Sequence, residues 1–65
     1  MSKLKENREK AGLTQKELSK RSGVNIRTIQ DYEQGRKFIN KAQGLSLYRL
    51  ANALNVTIEE LLELQ

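Results

Sequence analysis

The chain has 65 residues, a net charge of +4 and neither cysteine nor histidine, which excludes disulfides, the common zinc sites and the Ser-His or Cys-His nucleophile pairs and makes an enzyme the weakest reading, with no cofactor or metal expected. Its length suits one small domain, residues 1–65, burying only roughly 60% of the surface its unfolded chain exposes, so local signals such as caps and turns carry much of the structural information. All twelve Lys and Arg lie between Lys3 and Arg49 beside five acidic residues, a net +7, whereas the tail carries Glu59, Glu60 and Glu63; a basic body of this kind suits a polyanionic partner.

No stretch alternates apolar and polar residues through a β-branched run, and there is no repeat or low-complexity segment. The spacing of apolar residues predicts an all-α chain, a compact bundle of five short helices at about 2–11, 15–22, 26–34, 46–54 and 58–64. Ser2 or Lys3 opens the first helix. Thr14-Gln15-Lys16-Glu17 reads as a capping box at the second, with Leu13 and Leu18 as the hydrophobic staple across it. Asn25, a good N-cap residue, opens the third, with Val24 and Ile29 at the staple positions. Gly12, Gly23 and Gly35 each follow a predicted helix, where a left-handed C-terminal residue is expected. Residues 36–44 read either as a loop or as a segment holding one helical turn started by Asn40. Ser46 is the expected cap of the fourth helix. Thr57-Ile58-Glu59-Glu60, stapled by Val56 and Leu61, repeats the capping box at the fifth. The predicted core is Leu4, Ala11, Leu13, Leu18, Val24, Ile29, Tyr32, Leu47, Leu50, Ala51, Leu54, Val56, Ile58, Leu61 and Leu62. Met1–Glu6 lacks the apolar run of a signal peptide, and no stretch approaches the ~18 apolar residues of a membrane span, so a soluble cytoplasmic protein with no membrane partner is expected; 65 residues leave no room for a ligand-sensing domain, so no small-molecule ligand is expected.

The second and third helices are joined by only Ser22-Gly23-Val24-Asn25. A glycine turn this short makes two helices cross steeply and lets the second protrude. At 100° per residue, Ile29 and Tyr32 of the third helix point to the body, while Arg27, Gln30, Asp31 and Gln34 share the opposite face. Arg can pair bidentately with guanine, Gln with adenine, and Asp can accept from cytosine; the competing reading is an ordinary solvated face. Arg27 and Asp31, four residues apart, can also pair with each other, so that Asp31 would orient the Arg27 guanidinium.

The run Leu13-Thr14-Gln15-Lys16-Glu17-Leu18, Ser22-Gly23-Val24, Ile29 and Tyr32-Glu33-Gln34-Gly35, with the later Leu50-Ala51-Asn52-Ala53-Leu54-Asn55-Val56 and Leu61-Leu62, closely resembles the phage repressor and Cro-like (XRE-type) helix-turn-helix family over nearly the whole chain. The resemblance implies a lambda-repressor-like fold and sequence-specific binding of double-stranded DNA by a small transcriptional regulator, expected to be a repressor. It places the third helix, about 26–34, in the major groove. It implies base contacts from Ile26, Arg27, Gln30 and Asp31, where Ile26 either packs on a thymine methyl or packs against the protein. It implies phosphate contacts from Gln15, Asn25, Gln34, Arg36, Lys37 and Lys41, and an ion pair, Arg8 with Glu33, tying the first helix to the third. A homodimer on paired half-sites, with a weak dimer or a monomer in free solution, and a nucleoid location follow from the same resemblance, with a phage, a plasmid or a bacterial chromosome as source.

Two features depart from the family pattern. Asn7 stands where a leucine is usual, so the first helix is expected to pack less well. The stretch Phe38-Ile39-Asn40-Lys41-Ala42-Gln43-Gly44 lengthens the link before the fourth helix, and Phe38 and Ile39 either plug the core or form a protein-binding knob. The alternative function is an antitoxin or adaptor that binds a protein partner through Phe38-Ile39, Leu61, Leu62 or Leu64.

Overall fold

A computed structural model describes residues 2–63, and these form four α-helices and two short 3₁₀ turns. The helices are α1 (Lys3–Lys10), α2 (Gln15–Ser22), α3 (Ile26–Glu33) and α4 (Gly44–Leu54); the 3₁₀ turns are Ile39–Lys41 and Glu59–Leu61. No strand occurs among the described residues, and none of their helices is long and apolar enough to cross a membrane.

The helix starts follow from side-chain caps. The Ser2 hydroxyl accepts from the Lys5 backbone N–H at 3.0 Å. At α2 both halves of the capping box are made: the Glu17 N–H donates to the Thr14 hydroxyl at 3.1 Å, and the Thr14 N–H donates to the Glu17 carboxylate at 2.8 Å. The Asn25 side chain accepts from the Arg27 N–H at 2.8 Å. Gly23 ends α2 with φ +75°, a left-handed conformation that costs glycine nothing, and its N–H donates to the Ser19 carbonyl.

The turn between α2 and α3 is held by two serines. The Ser19 hydroxyl donates to the Val24 carbonyl at 2.7 Å, and the Val24 N–H donates to the buried Ser22 hydroxyl at 3.1 Å. These bonds satisfy backbone groups that a three-residue link would otherwise leave buried and unpaired. Leu18 and Ile29, both fully buried, pack on either side of this turn in one cluster with Leu4, Leu13, Val24, Ile39, Leu47, Leu50, Ala51, Leu54 and Leu61.

The carboxyl-terminal half departs from the prediction. Among the described residues there is no fifth α-helix. The capping box at Thr57 does form, with the Thr57 N–H donating to Glu60 at 2.7 Å, but only one 3₁₀ turn follows it. Leu62 is extended (ψ 143°). Asn40 then takes Glu63 as a strand neighbour would: its side-chain amide donates to the Glu63 carbonyl at 2.8 Å and accepts from the Glu63 N–H at 2.7 Å. The Glu63 carboxylate accepts from the Lys3 N–H at 2.6 Å, at the open end of α1. Tertiary hydrogen bonds thus replace the helical continuation through residue 63; Leu64, the end of the predicted helix, lies outside the described residues.

Smaller expectations also change. The fourth helix begins at Gly44 after Gln43, which makes no side-chain cap, so Ser46 lies inside it. Asn40 does not start the turn in the link but sits within it, and Ile39 of that turn is buried. Ala11, predicted as core, is exposed. Tyr32, Val56, Ile58 and Leu62 pack only partly against the cluster. Asn7, the unusual residue of α1, donates to the Glu60 carbonyl at 3.1 Å and so fastens α1 to the second 3₁₀ turn with a hydrogen bond where a leucine would pack.

The capping box gives a pH-dependent signal. The exposed Glu17 carboxyl is held below its ordinary range, first because the Thr14 N–H donates to it and then through the Thr14 hydroxyl. A depressed carboxylate contributes stability that is complete above the unfolded value, about 4.5, and is lost as the pH falls through the folded value. The Thr14 amide NMR resonance should therefore titrate with a midpoint below 4.5. Glu17→Gln should abolish the titration, and Thr14→Ala should lower stability by about 1 kcal/mol in urea denaturation.

Candidate nucleic-acid interface

The outward part of α3 is organised by two polar networks built on opposite sides of the helix end. The first begins at Arg8. Its Nε donates to Glu33 Oε2 at 2.8 Å and its Nη2 donates to Glu33 Oε1 at 3.1 Å, a two-pronged pair between α1 and α3. Its Nη1 donates to the Leu13 carbonyl at 2.8 Å, which adds the α1–α2 link. The Glu33 side chain is only 2% exposed, so its charge is compensated by protein and not by water. Glu33 in turn holds the Arg8 guanidinium more firmly charged, against the opposing effect of burial.

Glu33 Oε1 also accepts from Gln15 Nε2 at 2.9 Å, and Gln30 Nε2 donates to Gln15 Oε1 at 3.4 Å. A chain of donors and acceptors therefore runs from Arg8 through Glu33 and Gln15 to Gln30. Since the carboxylate only accepts, it fixes the orientation of the Gln15 amide. That amide in turn holds one N–H of Gln30, leaving Gln30 Oε1 and its second N–H unused. Gln15 is the first residue of α2, so its backbone N–H is one of the helix-end donors without an intrahelical acceptor, and the partial positive end of the helix lies there.

The second network surrounds Asp31. Its carboxylate lies 3.4 Å from Arg36 Nη1, 3.9 Å from Lys37 Nζ and 3.9 Å from Arg27 Nε. The Asp31 side chain is 13% exposed, whereas that of Arg27 is 77% exposed. The Asp31 backbone carbonyl accepts from both the Arg36 N–H at 2.9 Å and the Lys37 N–H at 3.2 Å. Gly35 makes the required reversal at φ +80°, so the chain after α3 folds back and places two cations beside the helix.

The remaining residues expected in the site stand as follows. Ile26 is exposed at the first turn of α3, and Asn25 and Gln34 are exposed at its two ends. Lys41 is exposed on the first 3₁₀ turn and belongs to neither network. The apolar residues expected as a protein-binding surface are mostly occupied: Ile39 and Leu61 are buried, and Phe38 and Leu62 are half-buried. Besides Ile26, the large apolar side chains exposed among the described residues are Leu45 and Tyr48, both on α4. The resemblance implies the Arg8–Glu33 pair and sets Gln15 apart from it, on phosphate; that the Glu33 carboxylate also holds the Gln15 amide follows only from the approach of α2 to α3. The sequence signal for the pair is a cation and a carboxylate on apolar helix faces, Arg8 beside Leu4 and Glu33 beside Ile29.

Neutralising one partner of the buried pair leaves the other without compensation, at a cost of about 3–5 kcal/mol. Arg8→Ala should therefore lower the unfolding free energy by about this amount in urea titrations followed by circular dichroism. The double replacement Arg8→Met with Glu33→Leu should recover much of the loss, since well-packed apolar residues often substitute for buried pairs. A parent-like midpoint for Arg8→Ala would show that the pair does not organise the helices.

Comparison with known proteins bears on this arrangement. A family model described as Helix-turn-helix matches residues 4–61, almost the whole chain. No curated protein and no solved structure matched in the corresponding comparisons. With both networks inside the matched segment, the chain belongs to the helix-turn-helix family, of the phage-repressor and Cro-like type.

Proposed function

We propose that the chain is a sequence-specific double-stranded DNA-binding regulator in which α2 and α3 are the helix-turn-helix pair and α3 enters the major groove. The observation that carries this reading is the combination of a highly exposed Arg27 with a helix anchored from behind by the Arg8–Glu33–Gln15–Gln30 chain. Base readout needs long polar side chains presented from a rigid element, because a bidentate contact loses its discrimination when the donor pair wanders.

In this reading Arg27 donates two hydrogen bonds to guanine. Gln30 offers its unused Oε1 and N–H to adenine. Ile26 packs on a thymine methyl. Phosphates meet the exposed Asn25, Gln34, Arg36, Lys37 and Lys41, together with the backbone N–H of Gln15 at the α2 amino end. The longest dimension of the described structure is 27 Å, shorter than the about 34–36 Å between half-sites one helical turn apart. Two copies are therefore needed to read a paired site, and assembly on DNA as a weak dimer is the natural form. Repression by occupancy requires no further chemistry, and a cytoplasmic, nucleoid-associated location follows from the same reading.

A second reading, a module that binds a protein partner, is favoured by one observation: Leu45 and Tyr48 lie three residues apart on an exposed face of α4. It is compatible with DNA binding, since α4 and α3 are different surfaces.

The test is selection from randomised duplex DNA by the parent and by Arg27→Ala. The expected result is a short, roughly palindromic motif for the parent and a single relaxed position per half-site for Arg27→Ala, at a cost of about 1–3 kcal/mol. The three cationic phosphate contacts, Arg36, Lys37 and Lys41, imply a loss of about 40-fold in affinity between 50 and 200 mM salt, each contributing roughly 0.9 to the slope. Weak, sequence-blind binding by both proteins would end the base-reading account.

A further inference from the structure

One acidic residue lies among the side chains assigned to the DNA surface, and its surroundings bear on what it does there. The resemblance makes Asp31 a candidate base contact, since a carboxylate can accept from cytosine. Its side chain, however, is covered to within 13% and faces three cations, Arg36 at 3.4 Å and Lys37 and Arg27 each at 3.9 Å. Its own backbone carbonyl receives the N–H groups of Arg36 and Lys37, so one residue directs both the path of that turn and the heads of its side chains. The cluster carries three positive charges and one negative, and its cationic members are exposed while its carboxylate is not.

We propose that Asp31 is a positioning and specificity-determining residue, not a base reader: it restrains Arg27, Arg36 and Lys37 as a shared counter-charge, so that they are withheld from indiscriminate phosphate binding. This rests on the DNA-binding reading above for its consequence but not for its geometry. In loose, sequence-independent complexes the bound phosphates compete directly with the carboxylate for the same three cations. Affinity there is almost wholly electrostatic and grows with the number of cations released to phosphates. In a register-matched complex Arg27 is committed to a base, and the carboxylate behind it aligns the guanidinium. Asp31 therefore lowers random binding more than it lowers site binding.

The test compares the parent, Asp31→Asn, Arg36→Ala with Lys37→Ala, and the triple variant on a random-sequence duplex across a salt series. Asparagine keeps the side-chain shape and leaves the backbone carbonyl bonds in place, so only the charge changes. The expected result is an affinity about tenfold higher for Asp31→Asn, with a salt slope steeper by about 1–2, each phosphate contributing roughly 0.9. In the Arg36→Ala, Lys37→Ala background the same change should raise affinity by less than about twofold, because residues that act through one another are not additive. Equal gains in both backgrounds would mean direct repulsion of phosphate by the carboxylate and would overturn the proposal. So would a loss of preference for Asp31→Asn, in selection from randomised duplexes, at a base position other than the one that Arg27→Ala relaxes, the mark of a direct base contact. A readout without DNA separates this proposal from the DNA-binding reading: NMR relaxation of the Arg36 guanidinium in the free protein. Greater mobility in Asp31→Asn than in the parent supports the restraint, and unchanged mobility overturns it, whether or not any of the proteins binds DNA.

Discussion

The forked pair between Arg8 and Glu33 is the interaction on which the placement of the third helix depends. A helix of eight residues in a 65-residue chain cannot hold its angle by propensity, since isolated helices this short are unstable in water. Apolar packing through Ile29 fixes one face but leaves the helix free to rock about that contact. A two-pronged pair to α1 removes that freedom, because both guanidinium donors must meet both carboxylate oxygens in a common plane. The third donor, to the Leu13 carbonyl, ties the same guanidinium to the link that leads into α2. One arginine thereby sets the relation among three helices, and the Gln15 and Gln30 amides extend the setting outward to the surface.

The two networks divide the work at that surface by burial. Glu33 is enclosed, with every oxygen committed inside the protein. Asp31 is mostly covered by cations that themselves face solvent. The first network makes the helix rigid, and the second shapes the electrostatic field that the rigid helix presents. The short α2–α3 link belongs to the same design. Ser19 and Ser22 pair both backbone groups of the buried Val24, which fixes the middle of the turn from within the protein.

The amino-terminal half of the fold was readable because its signals are local. A threonine three residues before a glutamate specifies a cap, and a leucine on each side specifies the staple, whatever lies elsewhere in the chain. The carboxyl-terminal end was misread for the complementary reason. Thr57 and Glu60 carry the same local grammar and form the same bonds, yet the helix stops after one turn because Asn40 and the α1 amino end take up Glu63. Those contacts span 23 and 60 positions and leave no trace in periodicity. Asn7 is a similar case: its polarity, which suggested poor packing, marks a hydrogen bond to Glu60. In the site, the outward set of α3 was legible from the 100° rule and the buried pair from family resemblance. The covering of Asp31 was not, because Arg36 and Lys37 reach it only through the reversal at Gly35.

Mapping the surface in solution tests the central claim, that the face held outward by the Arg8–Glu33 pair is where DNA lies. Isotope-labelled protein titrated with a short duplex and followed by NMR should show its largest shift changes at Gln15, along Asn25–Gln30, and through Gln34–Lys37, with the Leu45–Tyr48 face of α4 little affected. Changes concentrated on α4, or spread evenly over every exposed cation, would contradict the account.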